Sequence, residues 1–275
     1  MKGTLHRRAS APAAIAGLAA LVGFAGCVPE AVRWDEGVRS DLPMTAGARL
    51  AIGPGAVPVV TPSWTPPAAP SGTAVCPGSL AAARANGDTA FAAWWAPRTD
   101  SNADLVVARS NDGGRTWRAP VVADSTDRGR SGCRREPLAM TVDSLDGYVH
   151  VVYFLVAPEG PGLFCTHSMD GGAMFHAPVP IVYGERPSAA AVASWGDTVA
   201  VAYTDPNAPA PRVWLALSRS TGHIFEQRFS VSSPAASATR PGVAIRGTRV
   251  AVTWSETGRG GGPQSTVVRT GTVHW

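Results

Sequence analysis

The sequence predicts an all-β chain of four clear four-stranded antiparallel units, with a fifth left open, and three observations lead there. The stretch S-N-D-G-G-R-T-W at Ser110 to Trp117 returns in weaker form as S-M-D-G-G-A-M-F at Ser168 to Phe175 and S-R-S-T-G-H-I-F at Ser218 to Phe225, at intervals of 58 and 50 residues. A proline at Pro77, Pro137, Pro187 and Pro241 opens an apolar stretch, and the next stretch ends on an aromatic at Trp94, Tyr153, Tyr203 and Trp254. No convincing helical periodicity follows the first 26 residues.

Composition agrees with this class. The 275 residues include 30 glycines and 24 prolines, enough to punctuate many turns, and 45% hydrophobic content leaves ample material for a core. Only 16% of residues are charged, which suits a compact exported domain rather than a disordered one. The net charge of +4 is partly carried by Lys2, Arg7 and Arg8; without these the chain holds 21 basic against 20 acidic residues. That excess is too small for a nucleic-acid partner.

Residues 1–26 read as a secretory leader. A basic start is followed by an apolar run from Ala11 to Ala25, too short and too lightly flanked for a lasting transmembrane helix. Its end, F-A-G-C at Phe24 to Cys27, resembles a bacterial lipoprotein processing site, which implies lipidation of Cys27 and a lipid bilayer as partner. The expected location is the bacterial cell envelope. Residues 27–74 carry a proline-rich run at Thr61 to Gly72 and read as a tether with extended stretches. Within it, residues 48–60 look like a short hairpin that either supplies a strand to the last repeat or is the remnant of an additional unit, and so closes a ring.

From Val75 the units repeat. Each reads strand, turn, strand, longer loop, third strand, motif turn and fourth strand, and units of roughly fifty residues in this pattern are what a β-propeller blade requires. The motif has a physical purpose in a tight turn. Gly114, Gly172 and Gly222 stand where the backbone turns back, the Ser and Asp side chains (Ser110, Asp112, Ser168, Asp170 and Ser218) bond turn amides, and Trp117, Phe175 and Phe225 pack beside their neighbours. The third copy has lost its acid, and the fourth has decayed at Thr270-Gly271.

These stretches resemble the Asp-box, or bacterial neuraminidase repeat, of sialidase-like β-propellers, over about Val75 to Trp275. The family includes sialidases and other glycoside hydrolases, sorting receptors and lipoprotein assembly factors. The resemblance implies that the motif turns lie on the face opposite the ligand mouth, so the mouth falls at the lead-ins to the inner strands. There the sequence reads C-R-R-E-P, E-R-P and T-R-P, which makes Arg135, Arg186 and Arg240 the expected ligand-binding residues, able to hold a carboxylate through bidentate bonds. The family's nucleophile pair and acid/base would correspond to Tyr183 with Glu185, and to Asp205 or Asp100, although no family motif matches there. The R-I-P of the first sialidase blade is replaced by C-P-G at Cys76 to Gly78, and four clear units fall short of the family's six.

Cys76 and Cys133 occupy matching places in adjacent units and are the expected disulfide, leaving Cys165 as a buried thiol. His6, His150, His167, His176, His223 and His274 show no metal-ligand spacing, so neither metal nor cofactor is expected. Trp94, Trp95, Tyr153, Tyr203, Trp214 and Trp254 keep repeat register, which favours packing between units over a sugar platform. The function these readings favour is a membrane-anchored module binding a glycan or an envelope protein through its upper face. The alternatives are a sialidase-like glycoside hydrolase acting on acidic sugars and a structural subunit of an envelope complex.

Overall fold

The computed structural model describes residues 30–40, 48–70, 74–129, 132–186, 188–258 and 264–275. The leader and Cys27 lie outside these residues. In chain order the strands are β1 (Val32–Trp34), β2 (Val38–Ser40), β3 (Ala48–Ile52), β4 (Pro58–Pro62), β5 (Ala81–Arg84), β6 (Ala90–Pro97), β7 (Ala103–Ser110) and β8 (Val121–Asp124). They continue as β9 (Ala139–Val142), β10 (Val149–Ala157), β11 (Gly160–Ser168), β12 (Val179–Tyr183), β13 (Ala190–Trp195), β14 (Thr198–Thr204), β15 (Val213–Ser218) and β16 (Gln227–Ser230). The last three are β17 (Ala236–Arg246), β18 (Arg249–Gly258) and β19 (Ser265–Val273).

Strands β5 to β8, β9 to β12 and β13 to β16 form three sequential four-stranded antiparallel sheets, an all-β arrangement consistent with a propeller. The fourth sheet is built differently. Strands β17, β18 and β19 pair in order, and the outer side of β19 is taken by β1 and β2 from the other end of the chain. Val32 pairs with Val273 and Trp34 with Gly271, while Val38 pairs with Val268. Val32–Trp34 and Val38–Ser40, which the sequence leaves in a tether, are therefore sheet strands. The bonding groups along β19 would otherwise be an exposed sheet edge.

The hairpin of β3 and β4 does not join the fourth sheet by strand pairing. It lies against that sheet's face, where Leu50 packs with Ala244 and Ala251. The chain after it reaches the first sheet: Trp64 lies under the Arg84 guanidinium at 5.7 Å, the Ala68 amide donates to Gly114 O at 3.2 Å, and Trp117 Nε1 donates to Ala68 O at 2.9 Å. Residues 48–68 thus touch both the last sheet and the first.

Alternation along the strands supplies the layers between sheets. Trp95, Phe91 and Leu105 of the first sheet meet Tyr153, Val151 and Leu155 of the second. Val152 and Phe154, on the opposite face of β10, meet Val192 and Tyr203 of the third. Leu215 and Ala202 then meet Trp254, Val252 and Val32 of the fourth. Trp95 and Tyr153 touch edge to face at 5.6 Å, and the Tyr153 hydroxyl donates to Asp124 Oδ2 at 2.6 Å, which satisfies its one buried polar atom.

The motif turns are closed by the side chains that the sequence singles out. Ser110 Oγ accepts from the Gly114 amide at 2.8 Å and donates to Asp112 Oδ1 at 2.7 Å. Asp112 accepts from the amides of Arg115 and Thr116 at 3.0 and 2.9 Å and from Thr116 Oγ1 at 2.6 Å. Ser168 and Asp170 repeat the pattern with Gly172, Ala173 and Met174, without a counterpart of the Thr116 hydroxyl. In the third turn Ser218 Oγ still receives the Gly222 amide at 3.1 Å. Gly114 and Gly172, at φ of 82° and 84°, stand in the left-handed region where a side chain is strained. Trp117, Phe175 and Phe225 each pack into the layer before their own sheet.

Candidate functional site

The first strands of the four sheets in chain order, β5, β9, β13 and β17, together with β3 line a common cavity of about 450 Å³. Small residues allow five strands to approach one another here: Ala81, Ala82, Ala139, Ala190 and Ala191 all face it. Polar groups come from Arg49, Ser63, Trp64 and Thr65. A second cavity of about 440 Å³ shares Arg49, Leu50 and Val243 and adds Ser144, Ser194 and Arg246. Among the described lining residues of the two, the charged side chains are both arginines. Arg49 is exposed at the rim of these cavities, with partial desolvation pulling it below the ordinary arginine value. The sequence reading missed Arg49 because it placed that stretch in a tether; the hairpin signal around it was the usable clue.

The three arginines expected at a mouth do not share this cavity, which none of them lines. Arg135 is withdrawn into a buried ion pair with Asp127, with side-chain exposures of 5% and 1%. It also donates to the carbonyls of Gly132 and Arg134, each at 2.8 Å. Asp127 in turn accepts from the amides of Ala103 and Gly129. Arg135 therefore fastens the lead-in of the second sheet to the loop after β8, and together with Asp127, Arg134 and Glu136 it lines a separate cavity of about 290 Å³. Arg186 is exposed and donates to Ala208 O. Arg240 is exposed on the bulge of β17 between Thr239 and Gly242, at φ 56°.

Of the groups that the resemblance proposed for catalysis, the structure brings two loops together. The Asn207 side chain donates to Tyr183 O at 2.8 Å, and its amide donates to Asp205 Oδ1 at 2.9 Å. Arg186 adds its bond to Ala208, so residues 183–186 and 205–208 are tied by two hydrogen bonds. Gly184 sits under Pro206 so closely that a Cβ there would stand 2.6 Å from Cγ of that ring. Tyr183 is 46% exposed and touches Phe164 edge to face at 5.9 Å; Glu185 is exposed beside it. Asp100 belongs to another loop, paired with Arg98 at 2.7 Å. The Asn102 amide, then the Asn102 side chain and Arg98, hold its carboxyl below the ordinary value, the wrong direction for a general acid.

Cys76 and Cys133 form a disulfide with Cα atoms 4.9 Å apart, joining the lead-ins of the first and second sheets. Cys165 is free and buried, and burial pushes its thiol up to about 12. The histidines depart from expectation. The ligating atoms of His167, His176 and His223 all lie within 4.8 Å of one another. Their positions in sequence do not show this, because the third comes from a different sheet. The usable signal was that His167 and His176 flank the turn from Ser168 to Phe175 and so face each other across it.

No family model matches the chain, and a search of curated proteins finds no match. Among solved structures it is similar to the Hadza microbial sialidase Hz136, at 16% identity and a TM-score of 0.46, over 68% of this chain and 45% of that one. It is similar also to a protein of unknown function from Dyadobacter fermentans DSM 18053, at 15% identity and a TM-score of 0.43, over 89% of this chain and 100% of that one. A third is the NanB sialidase of Streptococcus pneumoniae, at 10% identity and a TM-score of 0.42, over 72% of this chain and 52% of that one. The chain thus spans about half the length of the two sialidases.

Proposed function

We propose that this chain is an exported, lipid-anchored β-propeller of four complete blades and a two-stranded fifth element with Asp-box turns, and that it binds a glycan through the face opposite those turns. The observation that carries this reading is the tied pair of loops at 183–186 and 205–208. Two bonds between them anchor the segment that carries the exposed ring of Tyr183 and the exposed Glu185 and Arg186. An aromatic face flanked by hydrogen-bonding groups suits the apolar ring face and hydroxyl edge of a sugar, and a pre-ordered loop pair lowers the entropy lost on binding. Binding rather than hydrolysis is favoured because Arg135 is committed to Asp127, and Asp100 stands in a separate loop with a depressed carboxyl.

A glycan array probed with residues 28–275 tests this. Binding of acidic or neutral glycans that falls at least about tenfold in Tyr183→Ala, with the melting temperature unchanged, supports the reading. Turnover of a fluorogenic sialoside that is abolished by both Glu185→Ala and Arg186→Ala would overturn it in favour of a glycosidase. A tagged chain that binds no glycan but recovers a stoichiometric protein from membranes would replace the glycan with an envelope protein.

Anchoring through Cys27 has a spatial consequence. The first strand begins at Val32, five residues on, a reach of at most about 17 Å. The ring would then rest close to the bilayer instead of standing off on a proline-rich tether. Incorporation of labelled palmitate that is lost in Cys27→Ala is the expected outcome.

A further inference from the structure

We propose that His167, His176 and His223 form a binding site for a first-row transition-metal dication, with Zn²⁺ as the type case, which links the motif turns of the second and third sheets. This site lies on the turn face and is independent of the glycan reading.

His167, at the end of β11, is completely buried, and neither of its ring nitrogens has a hydrogen-bond partner. A buried imidazole in that condition is an uncompensated desolvation, which a hydrophobic side chain of similar size would avoid. A metal ion that accepts the lone pair of one nitrogen removes that nitrogen's share of the cost. His176 stands across the turn, with its amide donating to His167 O at 2.9 Å and its ring stacked on that of His167 at 4.4 Å and 6°. His223 comes from the motif turn of the next sheet, its ring 4.4 Å from that of His167 and 5.1 Å from that of His176.

His223 is oriented as a metal ligand would be. Its Nδ1 lies 2.7 Å from Ser220 O and 3.0 Å from Thr221 Oγ1. A carbonyl accepts only, so Nδ1 carries the proton and Nε2 presents its lone pair, the arrangement by which backbone carbonyls set the tautomer of ligating histidines.

Three imidazole ligands suit Zn²⁺, Cu²⁺ or Ni²⁺ and not the hard cations Ca²⁺ and Mg²⁺, which require oxygen. Bonds of about 2.0–2.1 Å in a tetrahedron place the nitrogens about 3.4 Å apart. The present separations, within 4.8 Å, therefore close by about an ångström. His176 and His223 are exposed and can make that adjustment by ring rotation, whereas His167 is fixed by its surroundings. Their exposure also leaves a fourth position open to water.

The mature protein, prepared without a histidine tag and stripped with a chelator, is titrated with ZnCl₂ by calorimetry and with Co²⁺ by visible absorption. One equivalent of Zn²⁺ is expected, with tetrahedral Co²⁺ bands, no response to Ca²⁺ or Mg²⁺, and a rise in melting temperature of about 5 °C or more at a hundredfold excess over Kd. His176→Ala and His223→Ala, both at exposed positions, each weaken binding by roughly 100-fold while leaving the metal-free melting temperature unchanged. His274→Ala has no effect. Two results would overturn the site: no heat and no thermal shift with Zn²⁺ up to the order of 1 mM, or one-equivalent binding that survives both substitutions.

Discussion

Arg135 and Asp127 form an ion pair that is almost wholly withdrawn from water, and the carboxylate is further bonded by the backbone amides of Ala103 and Gly129. One arginine thereby ties the lead-in of the second sheet to the loop after the first. Removing a single partner strands a buried charge, which costs far more than an exposed pair is worth. Asp127→Ala is expected to lower stability by about 3–5 kcal/mol in urea denaturation. Arg135→Met should cost less, because Asp127 keeps its two amide donors. A loss below about 1 kcal/mol for Asp127→Ala would show that the pair is open to solvent.

The Cys76–Cys133 disulfide encloses a sequence separation of 57 residues. Loop-closure entropy for a loop of that size gives about 4 kcal/mol as an upper expectation. Replacing both cysteines with alanine should cost about 2–4 kcal/mol by denaturant titration. A thiol reagent at pH 8 should find no reactive cysteine in native residues 28–275 and one per chain after unfolding, because Cys165 is buried and its thiol is pushed up to about 12.

Asp112 carries a pH signature. The Thr116 hydroxyl, then the Thr116 amide and Ser110, hold its carboxyl well below the ordinary 3.8. A depressed carboxylate adds stability that is complete above the unfolded value and lost as pH falls through the folded one. The gap in melting temperature between wild type and Asp112→Asn should therefore be constant above about pH 5 and shrink as pH falls below about 4. Asp170→Asn should show a smaller gap, since Asp170 lacks the hydroxyl donor that Thr116 supplies to Asp112. A gap that does not vary with pH would separate the turn's stability from this ionisation.

The segment between the last sheet and the first can be tested at Gly114. A Cβ there would stand 3.1 Å from the Trp64 ring and 3.2 Å from Pro66 Cβ, on a backbone at φ 82°. Gly114→Ala should destabilise by about 1–3 kcal/mol and speed limited proteolysis near residues 63–74. Deleting residues 48–62 should uncover Ala244 and Ala251, lower the melting temperature and raise dye binding to exposed apolar surface. An unchanged melting temperature after the deletion would show that the hairpin contributes nothing to holding the sheets together.

Features that depend on near neighbours and on repeat period were legible before any tertiary contact was known. The order Ser-x-Asp-x-Gly places donors and acceptors within a few residues, so the closed turns at Ser110 and Ser168 follow from local chemistry. The alternation that carries Trp94 and Trp95 to opposite faces follows from the two-residue period of a strand, and Cys76 meets Cys133 because both hold the same position in adjacent units. The tertiary structure alone decided the rest, because those contacts join segments with no shared local signal. Strand β1 completes the sheet of β19 from the other end of the chain, and an edge filled by so distant a segment leaves no mark in either stretch. That Arg135 meets a buried carboxylate depended on Asp127, a residue of the loop after β8. The meeting of His167 and His176 with His223 likewise required two sheets to pack before three ordinary histidines became a cluster.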